Sequence, residues 1–111
     1  MVSRPQTLQG DVWLCALDPT QGAEIQKTRP CLIVSPDPLN LGLKTMLVVL
    51  MTTGGFAAPF RVACVFQRRD ALLLPDQMHA IDRTRAIKRL GRIDRDSLSQ
   101  TLGILCEMFV Q

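Results

Sequence analysis

Apolar residues in this chain come in short dense runs, separated by polar stretches rich in Pro and Gly. That pattern predicts strands and turns rather than a bundle of long helices. Asp11 to Leu17 is almost wholly apolar after its first residue and reads as a strand buried on both faces. Cys31 to Val34 is an unbroken apolar run bounded by Pro30 and Pro36, which predicts a short buried strand. Thr45 to Thr53 has the β-branched bias of a central strand. Phe60 to Phe66 alternates imperfectly and reads as another. Ala71 to Leu74 and Met78 to Ile81 read as two short strands around Pro75-Asp76. Ile87 to Ile93 reads as the last strand, with Gly91 marking a bulge.

The intervening segments carry turn chemistry. Residues 1–9 read as a flexible arm. Asp18 to Thr28 is polar, contains Pro19 and Gly22, and reads as a loop. Pro36 to Lys44 reads as a second loop, Gly54 to Pro59 as a short mobile connection, and Gln67 to Asp70 as a charged turn. Asp82 to Ala86 has room for a single helical turn. The period then changes. Asp94 can cap a helix from Arg95 to about Val110, with Leu98, Leu102, Leu105 and Phe109 as one apolar stripe. Ile104 and Met108 lie off that stripe. Gly103 weakens such a helix by roughly 1 kcal/mol relative to Ala. Short strands followed by one terminal helix predict a mainly β (α+β) fold: a small, strongly curved antiparallel sheet or barrel with a C-terminal helix. No internal repeat, linker or low-complexity segment divides the chain, so residues 1–111 read as a single domain.

Composition changes this picture in three ways. At 111 residues and 47% apolar, the chain has limited room to bury its apolar surface, so an oligomer interface is expected. The net charge of +3 is modest, but arginines outnumber lysines ten to three, which suits contact with phosphate. Cysteines at 15, 31, 64 and 106 form no CxxC pair. Three of them sit in apolar runs, as reduced core residues do. The first ten residues contain no apolar core of a signal peptide, and no run is long enough to span a bilayer. The expected setting is the cytoplasm.

The chemistry on offer is narrow. His79 is the single histidine, so a two-histidine acid–base pair within one subunit is excluded. HExxH, P-loop and GxSxG patterns are absent, and the acids at Asp11, Asp18, Glu24 and Asp37 lack metal-ligand spacing. Arg29 stands where the polar loop meets the apolar run. Its stem would be held on rigid structure, with its head towards the loop, a place suited to an anion. Read from the residues alone, Arg29 is equally a bridge between loop and strand, and Thr52 and Thr53 are equally β-formers at a strand end. Asp76 and Gln77 read as a turn, Phe56 and Phe60 as core or as stacking platforms for a base, and Trp13 as core. The run Arg83, Arg85, Lys88, Arg89, Arg92 and Arg95 reads as a solvated basic edge, or as a guide for a polyanion.

The ordered set of motifs resembles the MazF/PemK toxins, small endoribonucleases of toxin–antitoxin pairs. It runs Gly10-Asp11-Val12-Trp13-Leu14, Asp18-Pro19-Thr20, Gly22, Glu24, Arg29-Pro30, Thr52-Thr53-Gly54-Gly55, Pro59-Phe60, Pro75-Asp76-Gln77, Ile81-Asp82 and Lys88-Arg89-Leu90-Gly91. The resemblance implies an SH3-like barrel, a homodimer, an antitoxin partner with an acidic flexible tail, and metal-independent cleavage of single-stranded RNA with no cofactor. It places the family's catalytic Arg and Thr at Arg29 and Thr52. Thr20, Gly22, Glu24, Thr53, Phe56, Phe60, Asp76 and Gln77 would support catalysis or bind RNA. The base is left among Glu24, Asp76 and His79. Some members use a loop His and an Arg before the Asp-Gln pair; this chain has Ala23 and Leu74 at those places. The alternative is a non-enzymatic toxin of the same fold, like the gyrase poison CcdB.

Overall fold

The computed structural model describes residues 6–17 and 27–110. Six strands form one antiparallel sheet: β1 (Asp11–Ala16), β2 (Thr28–Ile33), β3 (Thr45–Thr52), β4 (Val62–Phe66), β5 (Arg69–Asp82) and β6 (Ala86–Arg92). Their spatial order is β4-β5-β3-β2-β1-β6. A short helix, α1 (Asp37–Gly42), joins β2 to β3, and α2 (Arg95–Met108) ends the fold. The sheet curls into an SH3-like half-barrel. Its outer strands approach each other where Gln67 Nε2 donates to the Leu90 carbonyl at 2.9 Å. At Gly91 a Cβ would come within 3.2 Å of the Phe66 ring, so that approach requires glycine.

Strict alternation gives the central strands two apolar faces. Val12, Leu32, Val49 and Met51 join one cluster, against which Leu98, Leu102 and Ile104 of α2 pack. Trp13, Cys15, Cys31, Ile33, Val48 and Leu50 form the other. Burial on both sides of β1, as its composition predicts, fixes the register, because a one-residue slip would exchange the two faces. Cys31 stands opposite Leu50 and Ile33 opposite Val48.

The predicted elements need five corrections. Residues 7–9 are docked: Thr7 is buried, and Gln9 donates from its backbone to Asp37 and from its side chain to the Val34 carbonyl. β2 starts at Thr28, before Pro30; its pairing to β3 begins only at Cys31, so Pro30 lies where a missing donor is tolerated. The segment after Pro36 contains a helix, since a proline in the first turn is compatible with one. Buried Asn40 ties that helix to the Ser35 carbonyl. The two strands around Pro75 are one, β5, which keeps pairing with β3 across an irregularity: Val49 faces Met78 while Leu50 faces Leu74. Pro75, Asp76 and Gln77 are thrown out of the ladder there. Finally, Phe109 is 70% exposed and does not extend the apolar stripe of α2.

Much of the predicted basic edge is internal bracing. Arg83 donates to the Asn40 carbonyl and Arg85 to the Leu17 carbonyl. Arg89 and Arg92 converge on Asp11, whose side chain is 2% exposed. A buried carboxylate of this kind needs such partners.

Asp94 caps α2 by accepting from the Ser97 N–H at 3.0 Å. Hydrogen bonds to Ser97 hold its pKa below the ordinary carboxylate value. The ionised cap therefore stabilises the fold above the unfolded-state pKa, and that contribution is lost as pH falls through the lower folded-state value. Asp94→Ala is expected to cost about 1 kcal/mol near neutral pH. Urea denaturation should show the gap between variant and wild type narrowing below about pH 4.

Candidate functional site

The rim of the half-barrel is built by β2 overrunning its ladder. If the register of Cys31 with Leu50 is continued two residues outward, Arg29 comes level with Thr52. Alternation then sets Arg29 on the face of Cys31 and Ile33, and Thr52 on the face of Leu50 and Val48, which is the same face. β2 is paired there on the β1 side, with Cys15 opposite Arg29. The other flank opens into a cleft of about 500 Å³ lined by Arg29, Thr52, Arg61, Leu74, Gln77 and His79. A second cleft of about 490 Å³ lies across the same rim and shares Lys27, Arg29, Met51 and Thr52 with the first; Thr53 and Arg69 also line it. Arg29 and Thr52 thus stand where the two clefts meet.

Each side chain has a structural reason for its place. The thiol of Cys31 donates to the Arg29 carbonyl at 3.5 Å and props the strand beneath the guanidinium. The hydroxyl of Thr52 accepts from the Gly54 N–H at 3.1 Å. A hydroxyl has one donor and two lone pairs, so its own proton stays available to an anion in the cleft. Gly55 has φ +97°, a backbone conformation that favours glycine, so the turn after Thr52 depends on this residue. The outward step in β5 brings Gln77 to the cleft. Leu74 is buried and forms an apolar wall.

Asp76 does not line either cleft as the sequence reading expects; its carboxylate pairs with Arg61 at 3.3 Å. Of the three base candidates, exposed His79 lines the cleft, and Glu24 lies outside the described residues together with Thr20, Gly22 and Ala23. Phe56 and Phe60 are both substantially exposed, which removes the core reading of them. Trp13 is buried, as expected. The cysteines at 15, 31 and 64 are free and buried. A hydrogen bond with Cys15, reinforced by burial, pushes the Cys31 thiol well above its ordinary pKa, and burial pushes Cys64 up as well. Neither is a ready nucleophile.

Arg61 and Lys27 are cleft residues that the sequence reading passes over. Arg61 follows the Pro59-Phe60 motif directly, and a lone arginine next to a matched motif was the available signal. Among the described residues, no three His, Cys, Asp or Glu side chains are grouped to hold a metal. No helix among them is long and apolar enough to cross a membrane.

Fold and rim together describe a small curled-barrel protein with a cationic, hydroxyl-bearing cleft. The chain belongs to the family of PemK-like, MazF-like toxins of type II toxin–antitoxin systems, whose model matches residues 8–109. It is 41% identical over 103 residues to the endoribonuclease PemK of Escherichia coli, across 87% of this chain and 77% of the relative. It is 34% identical over 99 residues to the endoribonuclease toxin MazF of Escherichia coli (strain K12), across 88% of this chain and 89% of the relative. Among solved structures, a MazE–MazF crystal structure from Deinococcus radiodurans superposes with a TM-score of 0.79 at 26% identity, covering 95% of this chain and 96% of that one.

Arg29 is exposed on a strand paired along one side, so its head contributes little to folding. Arg29→Ala is expected to change stability by no more than about 0.5 kcal/mol. A calorimetric Tm within about 4 °C of wild type is the corresponding observation.

Proposed function

We propose that this toxin is an endoribonuclease that cuts single-stranded RNA, with Arg29 and Thr52 as its catalytic pair. The observation that supports this reading best is their convergence on one cleft at level positions of neighbouring strands. RNA carries its own nucleophile. Attack of a 2′-OH on the adjacent phosphorus forms the new P–O bond, and the bond to the 5′-oxygen breaks. The products are a 2′,3′-cyclic phosphate and a 5′-OH. The protein has to align the attack, stabilise the negative charge on the phosphorane and handle two protons.

Arg29 answers the second need with a planar fork of donors that matches two phosphate oxygens. It is also placed to give a proton to the leaving 5′-oxygen. Thr52 donates its free hydroxyl proton to a non-bridging oxygen, held in orientation by the Gly54 N–H. An arginine is a poor base, because its guanidinium holds its proton very tightly. His79, which lines the same cleft, is the better placed acceptor for the 2′-OH proton among the described residues, while Asp76 is engaged with Arg61. Glu24 is the other candidate. With Arg29 and Thr52 on the phosphate, the reading calls for no metal and no cofactor. Phe56, Phe60, Thr53 and Gln77 contact unstacked bases, as single-strand readers do; Thr20 and Gly22, earlier in the sequence than Arg29, support them.

The partner is a cognate antitoxin whose acidic tail competes for the cations of the rim, Lys27 and Arg29. The protein acts in the cytoplasm as a homodimer, which covers exposed apolar residues such as Phe109 and Val110. Light scattering at working concentration is expected to give twice the 12.4 kDa chain mass; a monomer contradicts the assembly.

Cleavage is tested by incubating the purified protein with a long single-stranded RNA in EDTA and mapping the new 5′ ends. Discrete cuts with 5′-OH ends are expected. Arg29→Ala is expected to slow them by about 10²–10³-fold, the usual loss for one transition-state donor. Equal cutting by wild type and variant refutes the assignment, and activity that depends on added Mg²⁺ refutes metal independence.

A further inference from the structure

Arg61 makes more directed contacts than any role in phosphate binding would require. Its Nη2 pairs with Asp76 Oδ2 at 3.3 Å, on the segment that β5 pushes out of its ladder. Its Nη1 donates to the Phe56 carbonyl at 3.3 Å. The same guanidinium lies over the Phe56 ring, 4.9 Å from the centroid, and 5.7 Å from the centroid of Phe60. The side chain is only 13% exposed, although both rings it serves face solvent. We propose that Arg61 is a positioning residue that holds Phe56 as a fixed aromatic plate beside Gly55 and Arg61 of the cleft wall, and so decides which nucleobase can sit beside the scissile bond.

Phe56 follows Gly54-Gly55, so its own backbone does little to hold it. An aromatic ring that is 72% exposed has few packing neighbours to fix its direction. Arg61 supplies both constraints at once, with the main chain tethered through Nη1 and one ring face covered by the planar cation. The opposite ring face is left for a base to stack on. Asp76 completes the device, because it neutralises the cation and anchors it to the sheet. With its fork engaged on these partners, Arg61 is not a second phosphate ligand.

This inference rests on the nuclease reading for its consequence, but not for the contact itself, and the two are tested separately. NMR relaxation of the RNA-free protein reads the contact. Arg61→Gln is expected to lower the backbone order parameters of residues 55–58 and of the Phe56 ring and to leave β3 unchanged; unaltered order parameters at 55–58 and at the ring overturn the proposal. Mapping of 5′ ends on a long RNA in EDTA reads the consequence. Arg61→Gln, Arg61→Lys and Phe56→Leu are each expected to broaden base choice beside the cut and to raise KM about tenfold, the scale of one lost base stack. kcat should stay within about threefold. The Arg61→Gln, Phe56→Leu double variant should be no worse than the poorer single variant. An unchanged motif and KM, additive losses, or a fall in kcat at constant KM overturns the proposal. If Arg61→Gln fails to fold, Phe56→Leu at its exposed position still decides the motif. A wild type that cuts no RNA refutes the nuclease reading, while the relaxation result still decides whether Arg61 positions Phe56.

Discussion

The pairing of β2 with β3 is the constraint on which the rest of this structure depends. Cys31 and Ile33 face Leu50 and Val48 in a ladder buried on both sides. Two dry faces permit one register, because a slip would place each cluster's side chains in the other. Arg29 and Thr52 are the outward continuation of that register, beyond the last paired residues. The proposed catalytic pair is thus positioned by the core, although neither member belongs to it.

The rim also shows how a rigid scaffold holds groups that must stay solvated. β2 overruns β3 at Pro30, a residue that cannot donate to a ladder. This opens one flank of Arg29 to the cleft. β5 leaves its own ladder at Pro75, which brings Gln77 inward and puts Asp76 within reach of Arg61. Two interruptions in pairing, each at a proline, shape the two sides of one site. The thiol of Cys31 and the N–H of Gly54 then fix the backbone and the hydroxyl at its centre.

Charge is divided by partner. Arg83, Arg85, Arg89 and Arg92 are spent on carbonyls and on buried Asp11, so they brace the closing strand. Lys27, Arg29 and Arg69 line the two joined clefts. A modest net charge of +3 therefore conceals a concentrated cationic rim. Local density, rather than the total, governs attraction for a phosphate backbone or an acidic tail.

Local signals settled a large part of this protein. Dense apolar runs specified β1 and β3; Asp94 and the period that follows it specified α2; the Arg-Pro and Thr-Thr-Gly-Gly motifs marked Arg29 and Thr52. These features depend on neighbours within a few positions, so the linear chain carries them. The helix at Asp37–Gly42, the continuity of β5 past Pro75 and the exposure of Phe109 were not legible. Each is decided by a partner far along the chain, or by the lack of one: buried Asn40 against Ser35, β3 against both halves of β5, and no core residue within reach of Phe109. The contact of Arg61 with Asp76 spans 15 residues and two strands. Its place directly after Pro59-Phe60 marks that arginine in the sequence, but what engages its head is set by the curl of the sheet.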